Sequence, residues 1–402
     1  MALNTTGGDA PEDRKARGVR ICNRVHQHAD ADPGRCLCST GTISIEQVDL
    51  AAPGPGEVRV KIAAAGVCHS DLHVTTGAWD VPAPVVLGHE GSGVVSAVGP
   101  GVDDLEPGDH VVLSWVPGCG ECRACRAGRP AQCSLVASVV APGGTLYDGT
   151  TRLSNERGTI HHYLGVSSYA EEVVVPRSGA IKVRKDAPLE DIAIVGCAIA
   201  TGVGAVRNTA GVQPDSTVAV IGCGGVGLAC VQGARLAGAS RIVAVDVVAE
   251  KLDLARQLGA TDVLDASKTD DVVAALREII ADGEDLGYDY VFDAIGKIAT
   301  TEQAVAALGL GGAAVIVGLP PQGERASFEP LALAEADQRI LGSNYGSAVP
   351  ERDIPALVDE VMAGNLDLAA MISGRRPLAE AAAALDDLAA GHALRQLLIP
   401  SA

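Results

Sequence analysis

Eleven cysteines occur in this chain of 402 residues, and their spacing is the first sign of chemistry. Cys119, Cys122, Cys125 and Cys133 follow the pattern C-x2-C-x2-C-x7-C. Four thiolates this close together can wrap one tetrahedral ion, and closed four-thiolate sites are usually structural zinc. Such a site leaves no open position for a substrate, so its expected role is to stabilise a loop. Iron–sulfur clusters use similar spacing, and disulfides or free thiols are the third reading. A second set is scattered: Cys68-His69-Ser70-Asp71-Leu72-His73, then Gly88-His89-Glu90, then Cys197. Each piece alone is ambiguous, because a buried cysteine often acts as a small apolar residue.

A third group binds phosphate in other chains. The apolar run Thr217–Ile221 leads into Gly222-Cys223-Gly224-Gly225-Val226-Gly227 and then a helix-like stretch, which fits G-x-G-x-x-G in its required context. The first glycine makes the tight turn, the second lets backbone approach a pyrophosphate, and the third permits close helix–strand packing. Asp246 ends the next strand. An acidic side chain there binds the ribose hydroxyls of NAD and repels the extra phosphate of NADP. The second metal set gains weight from standing in one chain with this motif.

Elements with three different textures must position these groups. Residues 1–40 show no helical or alternating period and read as an irregular extension. Cys36, Cys38, His26 and His28 within it form a weak metal candidate. From Ile43 to about Cys197 short strands alternate with Gly/Pro turns, including Glu57–Ala65, Gly91–Val98, His110–Leu113 and Tyr169–Val175, which suggests a β-rich domain. From about Thr201 to Ser343 strands alternate with helices: Thr217–Ile221, Gly227–Ala237, Arg241–Val245, Glu250–Leu258, Tyr288–Phe292 and Ala313–Val317. That is the βαβ signature of a doubly wound parallel sheet. The tail adds a helix-like Leu378–Leu388 and a strand-like Gln396–Ile399. The expected class is therefore α/β plus β. The expected division is an extension over 1–40, a catalytic domain over 41–197 and 344–402, and a nucleotide domain over 198–343.

Composition narrows the partners. A formal net charge of −19 repels phosphate backbones and anionic lipid. No run approaches the length of a membrane span, and the first twenty residues lack the apolar core of a secretory signal. A cytoplasmic protein with no nucleic-acid or membrane partner is expected.

The segments Gly66–His73, Gly88–Gly93, Gly118–Cys133, His161–Val175, Cys197–Gly204 and Gly222–Gly227 resemble, in this order, the zinc-containing alcohol dehydrogenases of the medium-chain dehydrogenase/reductase superfamily. The resemblance covers roughly Ile43 to the C-terminus. It implies a GroES-like catalytic domain, a Rossmann domain, two zinc ions per chain and NAD. Cys68, His89 and Cys197 would hold a catalytic zinc, and Cys119, Cys122, Cys125 and Cys133 a structural one. Glu90 would sit near the catalytic metal, and Asp71 would orient His89. Ser70 would hydrogen-bond the reacting alcohol oxygen, and His73 would carry its proton outward. Besides Gly222, Gly224, Gly225, Val226, Gly227 and Asp246, the cofactor would meet Thr201 at the nicotinamide, His69 and Arg395 at the pyrophosphate, and Lys251 at the ribose. Trp79, Trp115, Tyr163 and Leu164 would line the pocket.

The expected reaction is reversible hydride transfer between a small alcohol or aldehyde and NAD. The alternative substrate is the S-hydroxymethyl adduct of a thiol, whose enzymes typically carry an acidic residue near the position of Trp79. The alternative of another class is a non-catalytic NAD-binding protein. A homodimer is expected, with a tetramer as the other arrangement. The family ordinarily begins with a strand a few residues into the chain; residues 1–40 do not read that way.

Overall fold

The computed structural model describes residues 13–22, 42–281, 286–321, 323–391 and 393–400. Three sheets organise them. The first is six-stranded and wholly parallel. Its order is Asp262–Asp265, Arg241–Asp246, Thr217–Ile221, Tyr288–Asp293, Leu308–Ile316 and Arg339–Gly342. The chain winds outward in one direction from Thr217–Ile221, then returns to build the other half. The crevice at that reversal, beyond the carboxyl ends of the strands, is where such sheets take ligands.

The central strands of this sheet are covered on both faces, which is why they read as continuous apolar runs. Val218, Val220, Ile242 and Ala244 belong to one core cluster. Their neighbours Ala219, Ile221, Val243 and Val245 belong to another on the opposite face. The period of two follows from strand geometry. The first cluster also contains Ala64, Val112, Val116, Cys133 and Ile181 from the β-rich part. The two halves of the molecule thus share one core. Fully burying each Val or Ile there contributes about 1.5–3 kcal/mol.

The second sheet runs Ala180–Val183, His110–Leu113, Gly91–Val98, Glu57–Gly66, Arg395–Ile399 and Ile372–Pro377, with Glu172–Pro176 also paired to Glu57–Gly66. The C-terminal strand therefore returns beside the strand that leads to Cys68. Leu397 pairs with Gly66, and the Val67 amide donates to the Gln396 carbonyl at 2.9 Å. The third sheet is a closed barrel of Arg14–Cys22, Thr42–Leu50, Leu153–Asn155, Gly158–His162 and Val85–Val86.

For Arg14–Cys22, that barrel corrects the reading of residues 1–40 as an irregular extension. Arg14–Cys22 is a strand, antiparallel to Thr42–Leu50 over nine residue pairs from Arg14↔Leu50 to Cys22↔Thr42. The strand expected near the start of the chain is present. It escaped notice because Arg14-Lys15-Ala16-Arg17-Gly18 alternates poorly, and pairing with a neighbour defines it. Cys36, Cys38, His26 and His28 lie outside the described residues.

No single helix among the described residues is long and apolar enough to cross a membrane. One bent pair, Leu189–Gly196 with Ala198–Ala210, passes by length and composition, but Ala193–Gly196 and Ala198–Gly204 are buried throughout.

Candidate active site and metal centres

Three separate turns deliver the scattered ligand set. Cys68 caps the helix His69–Thr75 just after the strand Glu57–Gly66. His89 and Glu90 precede the strand Gly91–Val98. Cys197 stands at the break between the 3-10 turn Ala193–Gly196 and the helix Ala198–Gly204. The ligand atoms of Cys68, His89, Glu90 and Cys197 all lie within 4.8 Å of one another, and all four residues are buried.

Asp71 ties this cluster together. Its Oδ1 accepts from the Gly88 amide at 3.1 Å and lies 3.3 Å from His89 Nδ1. Its Oδ2 accepts from the Cys68 amide at 3.3 Å and from the Tyr169 hydroxyl at 3.1 Å. One carboxylate therefore orients two of the ligand-bearing backbones and one imidazole. With Nδ1 turned to Asp71, His89 Nε2 is left buried without a hydrogen-bond partner. Burial disfavours a charged His89, yet Asp71 and Cys68 more than offset it and hold the imidazole well above its usual pKa. Surroundings that favour a proton at Nε2 also favour a metal cation there. The Cys68 thiol lies well below its usual range, first through a hydrogen bond from Cys197 and then, against burial, through Arg395 and His89. Two thiols and one imidazole are a ligand set that leaves zinc a fourth position. The residues fit a catalytic ion.

Glu90 is fully buried, and burial pushes its carboxyl up to about 7, with Arg395 opposing and Cys68 adding. Arg395 Nη1 lies 3.5 Å from Glu90 Oε2 and donates to the Val67 carbonyl at 3.1 Å. Its guanidinium also rests against Gly225, where a Cβ would overlap it. Arg395 thereby spans the ligand cluster and the glycine turn.

Around the cluster stand the expected neighbours. Ser70 Oγ is 3.8 Å from Cys68 Sγ. Tyr163 donates its hydroxyl to the Ser70 carbonyl at 3.1 Å, and its ring meets the His89 ring at 5.6 Å, edge to face. Trp115 meets His89 in the same way at 6.4 Å. His73 and Trp79 lie ring to ring at 4.9 Å, both half-buried. Leu164 adopts a left-handed backbone, φ 52. Thr201 Oγ1 is buried without a partner. His69 is exposed.

The other cluster is local. Sγ atoms of Cys119, Cys122, Cys125 and Cys133 also lie within 4.8 Å of one another. The loop turns its amides onto its own sulfurs: Cys122 N to Cys119 Sγ at 3.3 Å, Cys119 N to Cys133 Sγ at 3.4 Å, and Cys125 N to Cys122 Sγ at 3.5 Å. Amides of Cys125 and Ser134 pull the Cys122 thiol down to about 5. Such donors stabilise thiolates, the form that binds metal. All eight cysteines among the described residues with described side chains are free.

At the nucleotide turn, Gly222 has φ 99, open only to glycine at low cost. A Cβ at Gly227 would overlap the Gly222 carbonyl, whereas the space above Gly224 is open. The helix Gly225–Leu236 starts at Gly224 without a side-chain cap. Its first amides are thus available to an anion. Val226 lies in the first turn of that helix. Asp246 Oδ2 accepts from the Cys223 amide at 2.7 Å, and Oδ1 from Val247 and Val248 at 2.8 and 3.0 Å. A carboxylate has about four acceptor positions, so one stays open to a hydroxyl. Lys251 follows on the helix Ala249–Leu258, half-buried. A cavity of about 350 Å³ opens at the carboxyl ends of the parallel strands, among Ile316, Gly318, Leu319, Asn344 and Gln132.

Sequence reasoning missed two tyrosines. Tyr169 supports Asp71, as described. Tyr345 places its ring 4.7 Å from Trp115. Aromatic scarcity was the available signal: the chain has only ten Trp, Tyr and Phe residues, from 2, 6 and 2, so a cluster of them is itself informative.

Comparison with known proteins agrees with this geometry. Residues 54–185 match the alcohol dehydrogenase GroES-like domain, and residues 225–363 match the zinc-binding dehydrogenase family. A probable S-(hydroxymethyl)glutathione dehydrogenase of Schizosaccharomyces pombe is 39% identical over 355 residues, 88% of this chain and 92% of that protein. The crystal structure of an alcohol dehydrogenase zinc-binding domain protein from Burkholderia ambifaria superposes with TM-score 0.88 at 37% identity, covering 96% of this chain and 99% of that one. Benzyl alcohol dehydrogenase of Acinetobacter calcoaceticus gives TM-score 0.86 at 34% identity, with the same coverage. Two ligand clusters, a nucleotide turn joined to one of them through Arg395, and these relatives lead to one conclusion: the chain belongs to the zinc-dependent alcohol dehydrogenases of the medium-chain dehydrogenase/reductase superfamily, enzymes that use zinc and NAD(P).

Proposed function

We propose that this enzyme moves a hydride between small, uncharged primary or secondary alcohols or their carbonyl products and NAD. The observation that carries the reading is the buried set Cys68, His89 and Cys197, with His89 Nε2 unpartnered and Trp115 and Tyr163 closing over the imidazole. Zinc held by these three supplies Lewis-acid stabilisation of the negative charge that develops on the alcohol oxygen. Ser70 would take the alcohol's proton while giving up its own hydroxyl proton to the cofactor ribose, from which His73 would pass it outward. Thr201 packs against the nicotinamide and the aromatic rings exclude water. Arg395 and His69 hold the pyrophosphate at the helix start. Asp246, with Lys251 beside it, selects NAD over NADP, since a fixed carboxylate repels a further phosphate.

The name of the relative at 39% identity favours a second reading, oxidation of an S-hydroxymethyl thiol. That substrate carries carboxylates, and the half-buried Trp79 against His73 offers them no charge. The test is NADH formation by zinc-quantified protein with simple alcohols and with formaldehyde plus glutathione. Turnover of alcohols alone is expected; turnover confined to formaldehyde plus glutathione would replace the first reading with the second.

The same reading assigns residues 41–197 and 344–402 to catalysis and 198–343 to the nucleotide. It makes the enzyme a cytoplasmic homodimer. Thiol clusters persist as ligands in reducing compartments. Exposed apolar residues at the end of the parallel sheet support pairing of copies: Leu310 lies on the strand Leu308–Ile316, Ile340 on the edge strand Arg339–Gly342, and Leu331 on the helix Pro330–Glu335 between them in sequence.

A further inference from the structure

We infer that Tyr345 is a positioning residue for the catalytic centre: its hydroxyl fixes the peptide that carries Cys197, and its ring fixes Trp115 against His89. The identification of that cluster as catalytic rests on the reading above; the positioning argument rests on geometry alone. Tyr345 follows the last strand of the parallel sheet, Arg339–Gly342, and is 1% exposed. Its hydroxyl donates to the Gly196 carbonyl at 2.6 Å and lies 3.2 Å from Ser114 Oγ. Gly196 immediately precedes the ligand Cys197, and Ser114 immediately precedes Trp115.

The Gly196–Cys197 peptide needs such an anchor. Cys197, with φ −134 and ψ −76, interrupts the helical path between Ala193–Gly196 and Ala198–Gly204. Continuous helical hydrogen bonding therefore does not set the direction of its side chain. The Tyr345 hydroxyl supplies an outside constraint on the peptide that does.

Tyr345 is itself held rigidly. Tyr345, Gly346 and Ser347 are left-handed in succession, with φ 54, 62 and 50, a conformation that two non-glycine residues seldom adopt together. Neighbours impose it. A Cβ at Gly346 would overlap the carbonyls of Ala200 and Thr201, so the segment presses directly on the helix that follows Cys197. Thr209 Oγ1 lies 2.9 Å from Ser343 Oγ and 2.8 Å from Ser347 Oγ, and Asn344 Nδ2 donates to the Ala131 carbonyl at 2.9 Å. The segment leaving the nucleotide-binding sheet thus reaches a metal ligand and a pocket wall through one side chain. A ring that merely filled space would need no hydroxyl.

Tyr345→Phe keeps the ring and removes that bond. The experiment follows zinc release to a chelator, without substrate or cofactor, from wild type and variant. A Cys122→Ser protein identifies which release phase belongs to the four-cysteine lobe. Release from the Cys68, His89 and Cys197 cluster should quicken about tenfold, the lower end of outer-shell effects, while the lobe phase stays unchanged. In cobalt-substituted protein the visible absorption bands of the catalytic site should shift. Tyr345→Leu, which also removes the ring, should further alter the ratio of kcat/KM between bulky and small alcohols. Equal release and identical cobalt spectra for Tyr345→Phe and wild type would overturn the inference. So would equal acceleration of both phases, which signals general loosening. A protein that shows the selective release effect yet oxidises no alcohol would sink the proposed reaction and leave the positioning role standing.

Discussion

The two sulfur clusters are similar in size and opposite in construction. The lobe draws four ligands from one loop, Cys119 to Cys133, and that loop's amides serve its own sulfurs. Three of its four cysteines are only half-buried. The catalytic cluster draws its ligands from three turns far apart in sequence, all buried, and is held by side chains from further segments. A local site stabilises a loop and tolerates exposure. A site assembled from distant segments records the packing of the whole molecule, and it can leave one corner for a substrate.

Breaking each cluster in turn should separate chemistry from stability. Cys197→Ala removes a ligand from the catalytic set. A Lewis acid worth several kcal/mol is then lost or misplaced, so turnover should fall at least ~1000-fold. One zinc per chain should disappear, and the lobe should keep its own, by metal analysis. Cys122→Ser should do the reverse. Zinc is lost from the lobe, the unfolding midpoint drops, and the remaining folded protein retains most of its kcat. Equal loss of activity in both variants would erase the distinction between the sites.

A smaller change sharpens the contrast. Asp71 touches His89, Gly88, Cys68 and Tyr169 without belonging to the ligand set. Asp71→Asn preserves shape and removes the charge. Loss of such an outer partner costs about 10–100-fold in metal affinity or activity. Titration with a competing chelator should place the loss at the catalytic site alone. In the lobe most of this work falls to backbone amides, those of Cys122, Cys119 and Cys125 among them, with the Ser134 hydroxyl assisting at Cys122.

The same contrast explains what could be seen before the structure. The lobe was legible because its four ligands share one short spacing. The parallel sheet was legible because Thr217–Ile221, Arg241–Asp246 and Tyr288–Asp293 are apolar runs separated by helices and a glycine turn. The catalytic set was legible only through resemblance, since nothing local links Cys68 to Cys197. The roles of Tyr169 and Tyr345 had no signal beyond the scarcity of aromatic residues. Tyr169 lies 98 residues from Asp71, and Tyr345 lies 149 from Gly196. Hydrogen bonds across such distances leave no periodic trace. Arg14–Cys22 hid for a related reason, as its ladder with Thr42–Leu50 lies in the pairing and not in its own pattern.

Acid is the obvious way to strip zinc from either cluster, and one histidine outside both complicates that experiment. His162 is 2% exposed. Its Nε2 accepts from the Arg152 amide at 3.2 Å, and its Nδ1 is buried without a partner. Burial lowers its pKa from 6.5 to about 3, with Arg152 and His161 adding to the effect. The folded protein therefore keeps His162 neutral while the unfolded chain protonates it below about pH 6.5. Stability from this residue is full above pH 6.5 and declines as pH falls towards 3, because only the unfolded state gains the proton. At pH 5 the loss amounts to about 2 kcal/mol. Denaturant unfolding at pH 7.5 and pH 5 should show that difference in wild type and its absence in His162→Gln. Zinc retained at both sites at pH 5 would assign the loss to His162. Identical pH dependence in the two proteins would exclude His162 as its source, and zinc lost from one site or both at pH 5 would then locate it in the thiol clusters.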